Sequence, residues 1–298
     1  MTGADVEDAI GARYLGERLS MKLTCLVDNA VQPSSGFWGE HGLAYLVEAA
    51  GQRILFDTGQ SGTVLAHNLK LLGIDPATID AVAISHAHHD HTGSLPALMP
   101  HLRPGIPLFA NADLFRERFS QRDGPPKRIG LPLIREELAA RFALKLSDAP
   151  QEIIPRVWTT GAIHERSEFE GRGKGHLMAE GDELAADAYR DDMALVLVTG
   201  DRLALLCGCC HAGLLNTLAH VERTFSQPVA LIAGGLHLAG VAEDDLQRAN
   251  ARLAAMPALK HVYPGHCTGE AAYLALAQVL GAEVVCSSPV GTVIELAE

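Results

Sequence analysis

Short apolar runs separated by turn residues open the folded part of the chain. Lys22-Leu-Thr-Cys-Leu-Val-Asp28 predicts a strand over 22–28, and similar runs predict strands over 42–49 and 52–57 around the turn Ala50-Gly51-Gln52. Ser61 is placed to cap a helix over about 62–72, whose Val64, Leu65, Leu69 and Leu72 share one face before Gly73 stops it. Ala81-Val-Ala-Ile84 is apolar throughout and runs straight into a polar, histidine-dense loop. A buried strand that delivers polar side chains at its C-terminal end is where α/β proteins place their sites.

The rhythm breaks over 111–150. Arg116, Arg118, Arg122, Lys127, Arg128, Arg135, Arg141 and Lys145 surround Pro125-Pro126, which reads as a helical insertion or lid. A solvated face is the plain reading of that charge; an anion-binding lid is the sharper one, with Arg116 and Arg128 as substrate contacts. Strands resume over 193–199 and 202–207, joined by the hairpin signal Thr199-Gly-Asp201. Helix 214–224, strand 229–233, helix 243–255, strand 261–264, helix 269–280 and strands 283–286 and 292–296 complete the pattern. Strands first and helices interleaved, with polar clusters in the loops, predict two sheets packed face to face with helices outside.

Composition narrows the partners. With 24 basic and 36 acidic residues the net charge of the 298-residue chain is −12, which argues against a broad nucleic-acid surface. The 48% hydrophobic content excludes long disorder. No apolar stretch reaches the roughly 18–20 residues of a membrane helix; the longest candidate, Met193–Cys210, is cut by Asp201 and Arg202. Residues 1–20 hold Asp5, Glu7, Asp8, Arg13, Glu17 and Arg18 and lack the basic start and apolar block of a signal peptide, so a cytoplasmic location is expected. They are expected to be an appendage to a single domain spanning 21–298. In that setting Cys25, Cys207, Cys209, Cys210, Cys267 and Cys286 read as buried thiols or ligands rather than a disulfide framework. The expected partner is a small-molecule substrate, with a homo-oligomer left open.

The chemistry concentrates in Ser85-His86-Ala-His88-His89-Asp90-His91-Thr92-Gly93. Imidazoles and a carboxylate suit zinc, manganese or iron. His86 and His88 stand two apart in a chain leaving a strand, so both side chains can face one ion. Asp90 and His91 follow on a turning loop and can face a second ion, the arrangement of two-metal hydrolytic sites. His89, between ligands, is expected to point away. A solvent-exposed histidine cluster would not follow a buried strand in this way.

This His-x-His-x-Asp-His motif after an apolar strand resembles the metallo-β-lactamase superfamily, from about Met21 to the C-terminus. The resemblance implies a four-layer αββα sandwich. It also implies that Asp57, in Phe56-Asp57-Thr58-Gly59, braces the metal ligands from behind, and that His266, in Pro264-Gly265-His266, is the last histidine ligand. Leu26-Val-Asp-Asn29, Glu40-His41-Gly-Leu43, Cys210-His211-Ala-Gly-Leu-Leu-Asn216, Gly234-Gly-Leu-His237-Leu238 and Gly265-His266-Cys-Thr-Gly269 are similar to the dihydropterin–ribofuranosylaminobenzene phosphate synthase-like branch. One departure is informative. The superfamily's usual third histidine would fall near 175–192, where only His176 stands, without the motif. His211, in Cys207-Gly-Cys209-Cys210-His211, is therefore expected to supply that ligand. Cys209 stands where many relatives place a bridging aspartate; a thiolate ligand and a buried thiol are both open.

The resulting expectation is metal-dependent hydrolysis of a phosphoester or other small anionic substrate. One zinc, manganese or iron ion would be held by His86, His88 and His211, the other by Asp90, His91 and His266, with a hydroxide between them. His237, following two glycines, or Asp90 would handle the leaving-group proton, and His41 would face the same cleft. The branch implies a rival, a condensation at a phosphorylated pterin precursor. An iron redox enzyme and a non-catalytic metal-binding protein are the remaining alternatives.

Overall fold

In β13 (Ala194–Thr199) successive side chains leave opposite faces, and both faces are covered: Ala194, Val196 and Val198 belong to one apolar cluster, Leu195 and Leu197 to another. That double burial is why the strand reads as an unbroken apolar run rather than an alternating one. The computed structural model describes residues 20–296. The expected appendage therefore lies, but for Ser20, outside the described residues.

The first sheet holds β1 (Met21–Val27), β2 (Ala44–Ala49), β3 (Gln52–Phe56), β4 (Ala81–Ala83), β5 (Pro107–Ala110), β8 (Ala143–Leu146) and β17 (Val293–Leu296). Its order is β17-β1-β2-β3-β4-β5-β8. The second holds β9 (Glu152–Ile154), β10 (Val157–Thr159), β13, β14 (Arg202–Cys207), β15 (Val229–Gly235) and β16 (His261–Gly265), ordered β16-β15-β14-β13-β10-β9. Leu23, Tyr45, Val47 and Phe56 from the first sheet meet Leu195, Leu197, Ala204 and Leu206 from the second, forming the layer between them.

Each sheet carries helices on its other face. Leu65 and Leu69 of α1 (Thr63–Leu71) and Leu95 and Leu98 of α3 (Leu95–Leu98) cover Leu46, Leu55 and Val82. Leu214, Leu218 and Val221 of α5 (Leu214–Phe225), Leu253 of α6 (Glu243–Ala254) and Leu276 of α7 (Glu270–Leu280) cover Val196, Leu205 and Ile232. Three apolar interfaces separate four layers, αββα, as expected. Two smaller readings hold less well. Ser61 Oγ accepts from Val64 N at 3.3 Å, but Gly62 occupies the cap position of α1. The strand expected over 283–286 reduces to an isolated bridge between Val285 and Val262.

The segment 111–150 is not a helical insertion. It contains one five-residue helix, α4 (Arg135–Ala139), and β8, which pairs parallel to β5 inside the first sheet. β6 (Arg118–Ser120) and β7 (Lys127–Arg128) instead join β11 (His176–Glu180) and β12 (Glu183–Ala186) in a small sheet ordered β12-β11-β6-β7. Pro125-Pro126 falls in the turn of the β6–β7 hairpin, where missing amide donors cost nothing. The basic character also misleads: Arg118 is fully buried among Asp113, Asp187 and Asp191 rather than spread over a lid.

Candidate metal centre

Strand register assembles the site. β3 and β4 run parallel with Phe56 opposite Ala83, so Asp57 and Ser85 emerge side by side. β14, β15 and β16 also run parallel, with Cys207 opposite Gly234 and Gly235 opposite Gly265. Their following loops, carrying Cys209, His211, His237, His266 and Cys267, open at one edge. Asp57, Cys210, His237 and His266 take left-handed backbone angles, with φ of 55°, 57°, 46° and 48°. Such conformations cost about 1–3 kcal/mol each and persist where surrounding structure enforces them, characteristically at functional sites. Gly208 is required by close approach: a Cβ there would lie 2.1 Å from Ser85 Oγ.

Four of the histidines are held from behind. Asp57 Oδ2 accepts from His91 Nδ1 and from Ser85 Oγ, both at 2.7 Å, while its Oδ1 accepts from Ser85 N at 2.7 Å. Ser85 Oγ also lies 2.9 Å from His86 Nδ1. His211 Nδ1 donates to the Gly171 carbonyl at 2.6 Å, and His266 Nδ1 to Asn29 Oδ1 at 3.0 Å. These contacts turn the opposite nitrogens inward. His86 Nε2 lies 3.0 Å from His88 Nδ1, and His91 Nε2 lies 3.2 Å from Cys209 Sγ. The ligand atoms of His86, Cys209 and His211 all fall within 4.8 Å of one another, as do those of His91, Cys209 and His266 and those of His41, Asp90 and His266. Asp90 Oδ2 stands 3.4 Å from His266 Nε2 and 3.7 Å from His91 Nε2. His211 Nε2 and His266 Nε2 are buried without a hydrogen-bond partner, a costly state that a cation would relieve.

The electrostatics fit the same purpose. Burial, reinforced by neighbouring histidines, holds His86 and His211 well below the ordinary imidazole range, in the neutral form that binds metal. Burial pushes His91 down too, but the Asp57 and Asp90 charges outweigh it and carry its pKa to about 9. Burial raises Asp90, yet His91 and His266 hold it well below the usual carboxylate range. Burial pushes the Cys209 thiol up, so a cation there would have to displace its proton.

A further layer had no sequence signal beyond two adjacent aspartates before an apolar strand. Asp191 Oδ2 accepts from Ala87 N at 2.7 Å, between His86 and His88, and Asp192 Oδ2 accepts from Ala212 N at 2.7 Å, next to His211. One dipeptide thus fastens two histidine loops. Arg118 Nη2 stands 2.7 Å from Asp191 Oδ1, and its Nε 3.1 Å from Asp187 Oδ2, supplying the countercharge.

The other singled-out residues sort by position. His41 Nε2 reaches Asp90 Oδ2 at 3.3 Å from an exposed loop. His237 is half-buried, its ring centroid 4.4 Å from that of His211. His89 turns away toward the Ile129 carbonyl, at 3.3 Å. His176 touches His88, ring centroids 4.9 Å apart, and pairs with the Tyr189 hydroxyl at 3.1 Å. The Asn216 side chain ties Glu168 to the Ala212 carbonyl. Arg116 is engaged by Asp113 at 2.7 Å and by the Ala179 carbonyl, and exposed Arg128 by the Leu131 carbonyl. Cys267 meets Cys209 and His237.

A two-sheet sandwich with helices outside and a histidine-rich cluster at its edge is one family's architecture. The chain belongs to the metallo-beta-lactamase superfamily, whose profile matches residues 38–201. Within it, the chain is 30% identical over 271 residues, 86% of its length and 90% of the relative's, to the 7,8-dihydropterin-6-methyl-4-(beta-D-ribofuranosyl)-aminobenzene-5'-phosphate synthase of Methanocaldococcus jannaschii. Among solved structures it is similar to Tm1679, a metal-dependent hydrolase of the beta-lactamase superfamily, with a TM-score of 0.79 and 25% identity over 93% of this chain and 100% of that one. Zn(2+)-bound PqqB from Methylobacterium extorquens, at 11% identity and a TM-score of 0.55 over 92% of this chain and 100% of that one, shares the fold. No helix among the described residues is long and apolar enough to cross a membrane.

Proposed function

We propose that the chain is a metal-dependent hydrolase that holds two divalent ions, zinc foremost, and acts on a phosphoester or another small anionic substrate. The observation that carries this reading is the position of Cys209, whose sulfur belongs both to the group with His86 and His211 and to the group with His91 and His266. A donor shared by two such groups could serve either of two adjacent ions. His88 lies outside the ligand groups but places Nδ1 3.0 Å from His86 Nε2, from where it would join the first, and Asp90 would join the second. Ions bound there would lower the pKa of coordinated water toward about 7 and stabilise negative charge developing on a phosphoryl or carbonyl oxygen.

The protein's own groups do the rest. Ser85 and the Gly171 carbonyl fix the tautomers of His86 and His211 so that their inward nitrogens keep their lone pairs. Asp57 orients His91, from whose inward nitrogen a metal would displace a proton. Asp90 remains ionised and balances cationic charge, so the leaving-group proton falls to His237, whose pKa is raised by Cys267 against the effect of burial. A net charge of −12 favours a small substrate over a nucleic acid.

The 30% relative supports a second reading, a condensation in which the metals polarise a phosphate on a pterin precursor. Elemental analysis of freshly purified protein, with His88→Ala and His211→Ala alongside, tests the site. About two equivalents of zinc or manganese, reduced in both variants, supports it; iron with a visible band moves the reading to redox chemistry, and no metal after reconstitution overturns it. Phosphoester, lactone and amide substrates assayed beside phosphorylated pterins then separate hydrolysis from condensation.

A further inference from the structure

Cys209 has a third set of neighbours, Cys267 and His237, to which the proposed hydrolytic centre assigns no metal. Its sulfur, the Cys267 sulfur and a ring nitrogen of His237 lie within 4.8 Å of one another. Three adjacent parallel strands deliver them: β14 leads to Cys209, β15 to His237 and β16 to Cys267. We propose that Cys209, His237 and Cys267 form an additional cation site, selective for thiophilic ions of the zinc(II) and cadmium(II) class.

The donor set is richer in sulfur than its surroundings. The neighbouring groups offer at most the one sulfur of Cys209 beside imidazole or carboxylate, whereas this one offers two sulfurs and one nitrogen, a combination that favours softer ions. A Cys2His set with an open fourth position is a known way of holding zinc. Donors on one tetrahedral ion, with bonds of about 2.0–2.3 Å, stand roughly 3.5–3.8 Å apart. Closing the present cluster therefore takes shifts of about 1 Å.

Cys209 is shared with the two groups of the hydrolytic centre, so this ion would lie beside them. Outside the cluster Cys267 Sγ reaches the Cys209 carbonyl, at 3.7 Å, and His237 Nδ1 is buried without a hydrogen-bond partner. All six cysteines are free thiols, so no disulfide competes. The thiol of Cys267 occupies space kept open by Gly235, where a Cβ would lie 2.7 Å from the sulfur. Cys209 is buried while His237 and Cys267 are half-buried, which gives an ion a way in from one side. Binding releases one proton from each thiol to solvent. An ion there also takes a nitrogen of His237, so occupancy and proton transfer by that residue exclude each other.

Cadmium(II) titration of chelator-stripped protein tests the site, followed by equilibrium dialysis and by near-ultraviolet thiolate-to-metal absorption. Wild-type protein is expected to take about one equivalent more than Cys267→Ser, whose thiolate absorption at saturation falls by about half because one of two thiolates is lost. His237→Ala is expected to lose the same equivalent. Cys267→Ala serves if the serine variant misfolds, with circular dichroism confirming the fold. Equal stoichiometry and equal absorption in wild type and the Cys267 variants would overturn the proposal. His88→Ala, which addresses only the hydrolytic centre, keeps failure of that reading distinct: it leaves the Cys267-dependent equivalent in place.

Discussion

Asparagine at position 57 would keep the shape of the aspartate and remove its charge. Asp57 is fully buried and accepts three hydrogen bonds, from Ser85 N, Ser85 Oγ and His91 Nδ1, each at 2.7 Å. An amide offers one acceptor and one donor group in place of two acceptors, so in Asp57→Asn at least one of these donors faces another donor. His91 measures the electrostatic part. Burial alone would depress it, yet Asp57 and Asp90 bring its pKa to about 9 against an ordinary 6.5. At about 1.4 kcal/mol per tenfold change in proton affinity, that interval corresponds to roughly 3 kcal/mol. Breaking a buried pair typically costs about 3–5 kcal/mol, the same order.

The sign follows from the raised pKa. In metal-free protein this stabilisation is complete below pH 6.5 and is lost as pH rises through about 9. Asp57→Asn should therefore lose roughly 3 kcal/mol at pH 6 and distinctly less at pH 10, by urea unfolding of chelator-stripped samples. With metal present, loss of the acceptor behind a ligating histidine should weaken affinity about 10–100-fold in chelator competition. A destabilisation that is the same at pH 6 and pH 10, together with unchanged metal affinity, would refute the role given to Asp57.

Two further substitutions probe the supports. Gly208→Ala puts a Cβ 2.1 Å from Ser85 Oγ and 2.4 Å from Ser85 Cβ; overpacking of this kind costs about 1–3 kcal/mol, and metal content should fall with it, whereas an unchanged melting temperature would show that the loop has room. Arg118→Met leaves Asp187 and Asp191 buried beside no cation, so a loss of about 3–5 kcal/mol is expected by denaturant unfolding, and wild-type stability would show that the cluster is solvated.

Much of this architecture was legible because its signals are local. The strands over 22–28, 52–57 and 202–207 and the helices over 214–224 and 243–255 fall within a few residues of the observed elements, since each carries its own apolar period and its own turn. The small sheet was not legible. Its strands are two to five residues long and pair Phe119 with Leu177 across more than fifty positions, so neither periodicity nor turn chemistry announces them. Arg118 was misread for a related reason: a positive charge looks solvated in sequence, and only the pairing of β6 with β11 buries it against carboxylates from 187 and 191.

In the proposed centre the third histidine is His211 rather than a residue of the stretch near 175–192. The usual ligand would fall near 175–192, and His176 stands there, but its ring is held by the Tyr189 hydroxyl and it belongs to none of the ligand groups among the described residues. His211 belongs to one of them, and Tyr189 stacks on it with centroids 4.2 Å apart and planes 9° from parallel. Asp191 and Asp192, on the stretch that follows, hold Ala87 and Ala212 in place. The 175–192 stretch thus lies beside the candidate centre, with Tyr189 against His211 and Asp192 holding the loop that carries it. The strand register explains the proximity. β13 runs antiparallel to β14 with Ala194 opposite Cys207, so the stretch that enters β13 lies at the same edge as the loops that leave β14, β15 and β16.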